Sequence, residues 1–203
     1  MQRFSRAGWL LAAASSAHAQ PADVRIEEEL HLIGGCVVDM GPIDRSQALG
    51  TNPAPWATIV DNGPPENRVD LVFVGDGYIE TQLRAHAIHG QNARYDLCRH
   101  RPFARYEPYF NVHRVSVVSP ESGVDHDPTF PILRDTALDM YFFCGGTERL
   151  LCVSTLKALS YAANAPDVDQ IFAVANSTKY GGAGYASNDL STYSGGNGSS
   201  PEI

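Results

Sequence analysis

The sequence predicts an α/β fold, a sheet with helices packed on its faces, and three observations carry that expectation. Asn67–Tyr78 (NRVDLVFVGDGY) holds an apolar run, Val69–Val74, broken only by Asp70, that passes straight into Gly75-Asp76-Gly77. A second apolar run, Ile171–Ala175, leads through Asn176-Ser177 to the glycine-rich Tyr180–Gly184 (YGGAG). Stretches with helical spacing lie between the two. Near-continuous apolar runs mark strands covered on both faces, and loops at the carboxyl ends of such strands are where α/β proteins place their chemistry.

In chain order, Glu29–Asp39 reads as a strand that stops at Gly41-Pro42. Residues 46–66, with Pro53, Pro55, Pro64 and Pro65 among Asn and Gly, read as a linker or wrapping loop. Residues 20–66 are therefore an N-terminal strand and Pro-rich linker, ahead of a main domain over 67–203. After the Val69–Val74 strand, Ile79–Arg99 has helical spacing at Leu83, Ala87, Ala93 and Leu97 and contains no proline; Pro102 bounds it. Asn111–Val118 alternates Val112, Val115 and Val117 as a second strand, parallel to the first if a crossover joins them. Thr136–Phe143 fits strand or helix. Arg149–Asn164 has a helical pattern ended by Pro166, Ile171–Ala175 is the third strand, and the tail from Tyr180 is rich in Gly, Ser and Asn.

The first residues have the three parts of a secretory signal peptide. Arg3 and Arg6 are the basic region, Ala7–Ala14 the apolar region, and Ala17-His18-Ala19 the cleavage site, so residues 1–19 are expected to be removed and the protein secreted or periplasmic. No later stretch is apolar and long enough to span a membrane. The formal net charge of −8, without basic clusters, argues against nucleic acid as a partner. Four cysteines (Cys36, Cys98, Cys144, Cys152) allow two disulfides in an oxidising compartment, with three possible connectivities. Cys144 and Cys152, flanking Gly145-Gly146, make the easiest local bridge; buried free thiols are the rival reading.

Candidate chemistry is sparse. None of the seven histidines is followed by Glu, so no H-E-x-x-H occurs. His86 and His89 would share a helix face, yet without an obvious third ligand they read as surface residues. Glu121 with Asp125-His126-Asp127 has the hard oxygen ligands calcium takes, but reads first as a solvated acidic loop. Asp76 and Gly77 read as a structural loop, the carboxylate accepting backbone N–H bonds, ahead of ion binding or catalysis. There is no G-x-S-x-G elbow and no P-loop.

Four blocks together resemble the IgA-peptidase family of secreted bacterial zinc metallopeptidases: VDLVFVGDGY (Val69–Tyr78), PFARYEPYFNVHRVSVVSPESGVD (Pro102–Asp125), TALDMYFFC with RLL (Thr136–Cys144, Arg149–Leu151) and PDVDQIFAVANSTKYGGAGY (Pro166–Tyr185). The resemblance implies a zincin-like or Rossmann-like mixed sheet with flanking helices, incomplete at the C-terminus. It also implies a protein or peptide substrate, cut by water activated on a zinc held by H-E-x-x-H. That helix is absent from the 203 residues, so a truncated peptidase is expected: zinc belongs to the full-length relative, and this chain has no metal site and no catalytic residue of its own. The resemblance further implies that Tyr180, Gly181 and Gly182 help form a sheet edge that binds extended substrate. A complete, non-catalytic exported α/β binding module is the alternative. The nucleotide sequence beyond the Ile203 codon separates the two.

Overall fold

The computed structural model describes residues 52–197. The expected signal peptide (1–19), the strand over 29–39 and Cys36 lie outside the described residues.

Six strands form one mixed sheet: β1 (Trp56–Val60), β2 (Val69–Asp76), β3 (Phe110–Val115), β4 (Gln170–Ala175), β5 (Gly182–Tyr185) and β6 (Leu190–Ser194), in the spatial order β1-β3-β2-β4-β6-β5. The inner four run parallel; β1 and β5 are antiparallel edges. Every residue of β2 after Val69 is buried, as a central parallel strand with helices on both faces requires. Alternation along β2 sends Leu71 and Phe73 to one face and Val72 and Val74 to the other, and each set joins a separate core cluster.

One face is covered by α1 (Leu83–Arg99), which crosses from β2 to β3 and ends shortly before the short α2 (Phe103–Tyr106). The buried positions of α1 are His86, Gly90, Ala93 and Leu97, a stripe of helical period. Leu83 and Ala87, expected to be inward, lie at its flank. Gly90 faces Phe73, which stacks on Phe172 of β4 with ring centroids 4.9 Å apart. The opposite face is covered by α3 (Thr155–Ala162) and by the long connection from Val117 to Val153, with Leu138, Met140, Phe142 and Leu151 fully buried.

Several expectations are corrected. The segment read as a linker contains β1, whose half-exposed backbone pairs with β3 in spite of flanking prolines, as an edge position permits. The glycine- and serine-rich tail forms β5 and β6; all five residues of Leu190–Ser194 are buried because β6 lies between β4 and β5. The helix expected from Arg149 begins only at Thr155. Cys152 pairs with Tyr141 through mutual backbone hydrogen bonds of 2.9 and 3.0 Å, and Leu150 bridges Gly182, which holds residues 150–152 extended. Thr136–Phe143 is neither helix nor ladder strand; it meets its neighbours through isolated bridges at Tyr141. Cys144 and Cys152 are joined in a disulfide with Cα atoms 5.8 Å apart, and Cys98 is a free thiol. Among the described residues no helix is long and apolar enough to cross a membrane.

Candidate functional site

The parallel strands β2, β4 and β6 end side by side, at Asp76, Ala175 and Ser194. The loops leaving them build the site. Asp76 is fully buried, facing the α3 side, and accepts four hydrogen bonds: from the N–H groups of Leu138 and Met140 (both 2.9 Å) and the hydroxyls of Thr136 (2.9 Å) and Ser119 (3.1 Å). Burial pushes its carboxyl above the ordinary range, against those four donors, which favour the ionised form. The carboxylate thus fixes the 119–140 loop to the end of β2.

Gly77 follows with φ +73°, and a Cβ there would sit 2.0 Å from the Gly123 carbonyl oxygen, so only glycine allows this approach. Its N–H donates to Ser119 Oγ (2.9 Å), and its carbonyl accepts from Gly123 N (3.0 Å) and Asn176 Nδ2 (2.8 Å). Tyr78 is buried at the same corner. Its hydroxyl donates to the Ala175 carbonyl (3.2 Å), so it accepts from His89 Nδ1 (2.8 Å), which sets that ring's tautomer. Gly195 lies beneath the pair, where a Cβ would be 2.7 Å from both the Tyr78 hydroxyl and His89 Nδ1.

The residues expected at a substrate edge separate in role. Tyr180 is 51 % exposed. Gly181 is packed, since a Cβ there would come within 2.5 Å of the Arg149 carbonyl and the Phe142 ring. Gly182 opens β5, and its N–H donates to the Arg149 carbonyl at 3.2 Å. Ser194 N bonds the Gly181 carbonyl, so Gly181, Ala183 and Tyr185 face β6 while Gly182 and Gly184 direct N–H and C=O outward. A Cβ at Gly184 would meet nothing within 4 Å, so the face of the sheet it would point to has space there, while β5 itself is the last strand in the sheet order. Lys179 anchors the approach, its Nζ lying 4.7 Å and 4.5 Å from the ring centroids of Phe142 and Phe143 and 3.4 Å from Glu148.

Among the described residues no three His, Cys, Asp or Glu side chains converge where they could hold a metal ion. The two pairings raised by the sequence are otherwise engaged. His86, expected at the surface, is fully buried, and His89 is bonded to Tyr78. In the acidic loop, Glu121 accepts from Asp135 N (2.7 Å), Asp125 from Arg134 N (2.5 Å), and His126 Nδ1 meets the Ile132 carbonyl (3.1 Å). These residues therefore do not fit a zinc centre. Sequence reasoning missed Ser119 and Thr136 as partners of Asp76, and the Asp70–His113 pair at the opposite end of β2 (2.8 Å). No local signal marks them, because contacts across 43 to 64 residues leave no periodicity.

A family model described as IgA Peptidase M64 matches residues 57–200, which takes in β2 to β6 and all of β1 after Trp56. A search of curated proteins found none that matches.

Proposed function

We propose that this chain, which belongs to the IgA peptidase M64 family, is the substrate-aligning part of an exported zinc peptidase, with β5 as the edge on which extended polypeptide lies. The outward-directed N–H and C=O of Gly184 on the antiparallel edge strand are the observation that carries this reading. An extended peptide satisfies its own N–H and C=O groups by pairing with such an edge, and the missing side chain lets it approach closely. Asp76 and Gly77 hold the loops at the end of β2, which β4 and β6 separate from that edge, and Gly195 follows β6, the strand next to it. They act as positioning groups.

The zinc and the activated water belong to the proposal as well. Since residues 1–203 contain no H-E-x-x-H and the described side chains form no metal cluster, the ligands and the general base would come from sequence outside these residues. Export is proposed from the signal-peptide pattern and is supported by the Cys144–Cys152 disulfide, a feature of oxidising compartments.

The test is hydrolysis of an unfolded protein such as reduced casein. The 203-residue chain alone is expected to leave it intact. Extension through an H-E-x-x-H helix should give chelator-sensitive cleavage, and Gly184→Pro, which deletes the outward N–H, should lower that cleavage at least about tenfold with little change in melting temperature. Chelator-resistant cleavage by the 203-residue chain, or full activity in G184P, would overturn the reading.

A further inference from the structure

At the opposite end of β2 from the strand-end loops, three polar side chains of adjacent strands meet in a row. Asp70 on β2 is fully buried, His113 on β3 is 3 % exposed, and Thr58 is an exposed residue of the edge strand β1. His113 Nε2 lies 2.8 Å from Asp70 Oδ1, and His113 Nδ1 lies 3.1 Å from Thr58 Oγ1. A carboxylate only accepts, so the neutral ring carries its proton on Nε2. The lone pair of Nδ1 then faces the Thr58 hydroxyl, which donates to it. Asn111 Nδ2 donates to the same Asp70 oxygen (3.1 Å) and to the Gly63 carbonyl (3.0 Å), which fixes the carboxylate behind the ring. A hydroxyl on a base that a third group orients is the arrangement used for nucleophilic acyl transfer.

The hydroxyl opens on a cavity. About 360 Å³ in volume and open to solvent, it is lined by Thr58, Asn111 and His113 together with Pro64, Pro65 and Pro166. That volume suits a small molecule, and the prolines offer it apolar contact. Asp61, also on the lining, disfavours an anion. The ladder supplies a donor as well. Ser116 N bonds the Pro55 carbonyl (2.7 Å), so by antiparallel alternation Ala57 and Arg114 exchange bonds while Thr58 and His113 do not. The Thr58 N–H is therefore directed away from β3, on the outermost strand of the sheet.

The geometry points to a second hydrolytic centre, in which Thr58 and His113 cleave small uncharged esters and Asp70 is a positioning residue. Thr58 Oγ1 adds to the carbonyl carbon as its proton passes to His113 Nδ1, and the Thr58 N–H donates to the developing oxyanion. Collapse breaks the bond to the alkoxy oxygen, which takes the proton from His113 and leaves as an alcohol. Water then adds to the acyl group and gives its proton to His113; the acid departs, and Thr58 Oγ1 recovers that proton. The sum is ester plus water to acid plus alcohol. A single backbone donor suits an ester, whose alkoxide leaves more readily than an amine. Every step is carried by side chains of this chain, independently of the peptidase reading.

The test mixes p-nitrophenyl acetate with the full 203-residue chain in the presence of EDTA. Nitrophenolate release is followed optically, and acid-quenched protein is mapped by peptide mass spectrometry. Saturable release and an acetyl group on Thr58 are expected; a hydrogen bond that merely joins β1 to β3 would give no such adduct. Thr58→Val keeps the shape of an exposed side chain and removes its hydroxyl, so it should abolish that acetylation and lower release at least about tenfold. Thr58→Ser should restore both. Asp70→Asn should lower the acylation rate at least about tenfold with KM little changed, because the ring loses the acceptor that sets its tautomer. The proposal is overturned if Thr58 carries no acetyl group, or if T58V or D70N releases nitrophenolate at the parent rate.

Discussion

Gly75 and Asp76 are neighbours on β2 and face opposite sides of one sheet, where burial is handled in contrasting ways. On the α3 side the Asp76 carboxylate has four donors aimed at it. On the α1 side the His86 ring lies over Gly75, where a Cβ would come within 2.8 Å of it, and neither ring nitrogen has a partner; Arg114 close by is also unpaired. A fully partnered buried charge is a fastening. Buried polar groups without partners cost stability, and they persist where something else gives them a use.

The largest effect should come from undoing the fastening. Asp76→Ala strands two backbone N–H groups and two hydroxyls and should cost roughly 3–5 kcal/mol in denaturant unfolding. Asp76→Asn keeps one acceptor oxygen and should recover part of that. A loss below about 1 kcal/mol for the alanine variant would show that the loop is held by its apolar contacts alone.

Opening the Cys144–Cys152 bridge with paired serines should cost about 2–3 kcal/mol for a closed loop with a sequence separation of 8. The loss should be felt on the α3 side, since the bridge braces the connection that carries the donors to Asp76. Exchange of the Leu138 and Met140 amides should accelerate, while the α1 amides stay protected to the global limit.

His86 supplies a pH test of the opposite face. Burial, with Arg114 and His89 nearby, lowers its pKa from 6.5 to about 3. The unfolded chain therefore takes up a proton first, and the contribution is complete above about pH 6.5 and lost as pH falls toward 3. Between pH 6.5 and 5 the loss should be about 2 kcal/mol. Asp76, whose carboxyl is raised, acts in the opposite sense, because the folded state takes its proton first. The difference between the parent chain and His86→Met is therefore the quantity to measure: the methionine variant should have the flatter acid limb. The smallest effect, of opposite sign, is the gain of about 1 kcal/mol expected for Arg114→Met.

Sequence patterns revealed the centre of the sheet better than its margins. β2 and β4 were legible because both faces are covered, which demands near-continuous apolar residues. β1 was concealed by Pro53 and Pro55, and β6 by its polar composition, Leu-Ser-Thr-Tyr-Ser, whose burial comes from neighbours rather than from hydrophobicity. The leucines at 150 and 151 had helical spacing, but the bridges to Tyr141 and Gly182 hold that stretch extended. At the site, the loop-fixing character of Asp76 could be read from its place after a buried strand, but not the identity of its donors. His86 lay on the predicted helix, yet only the glycine opposite it, at position 75, creates the space that buries it.

The central claim is that β5 aligns extended polypeptide, and amide hydrogen exchange tests it most directly. With a saturating unstructured peptide added to the 203-residue chain, the Gly184 amide should become protected while the inward-facing Ala183 amide changes little. Protection confined to the other edge, β1, or binding that leaves Gly184 exchanging at its free rate, would contradict the account.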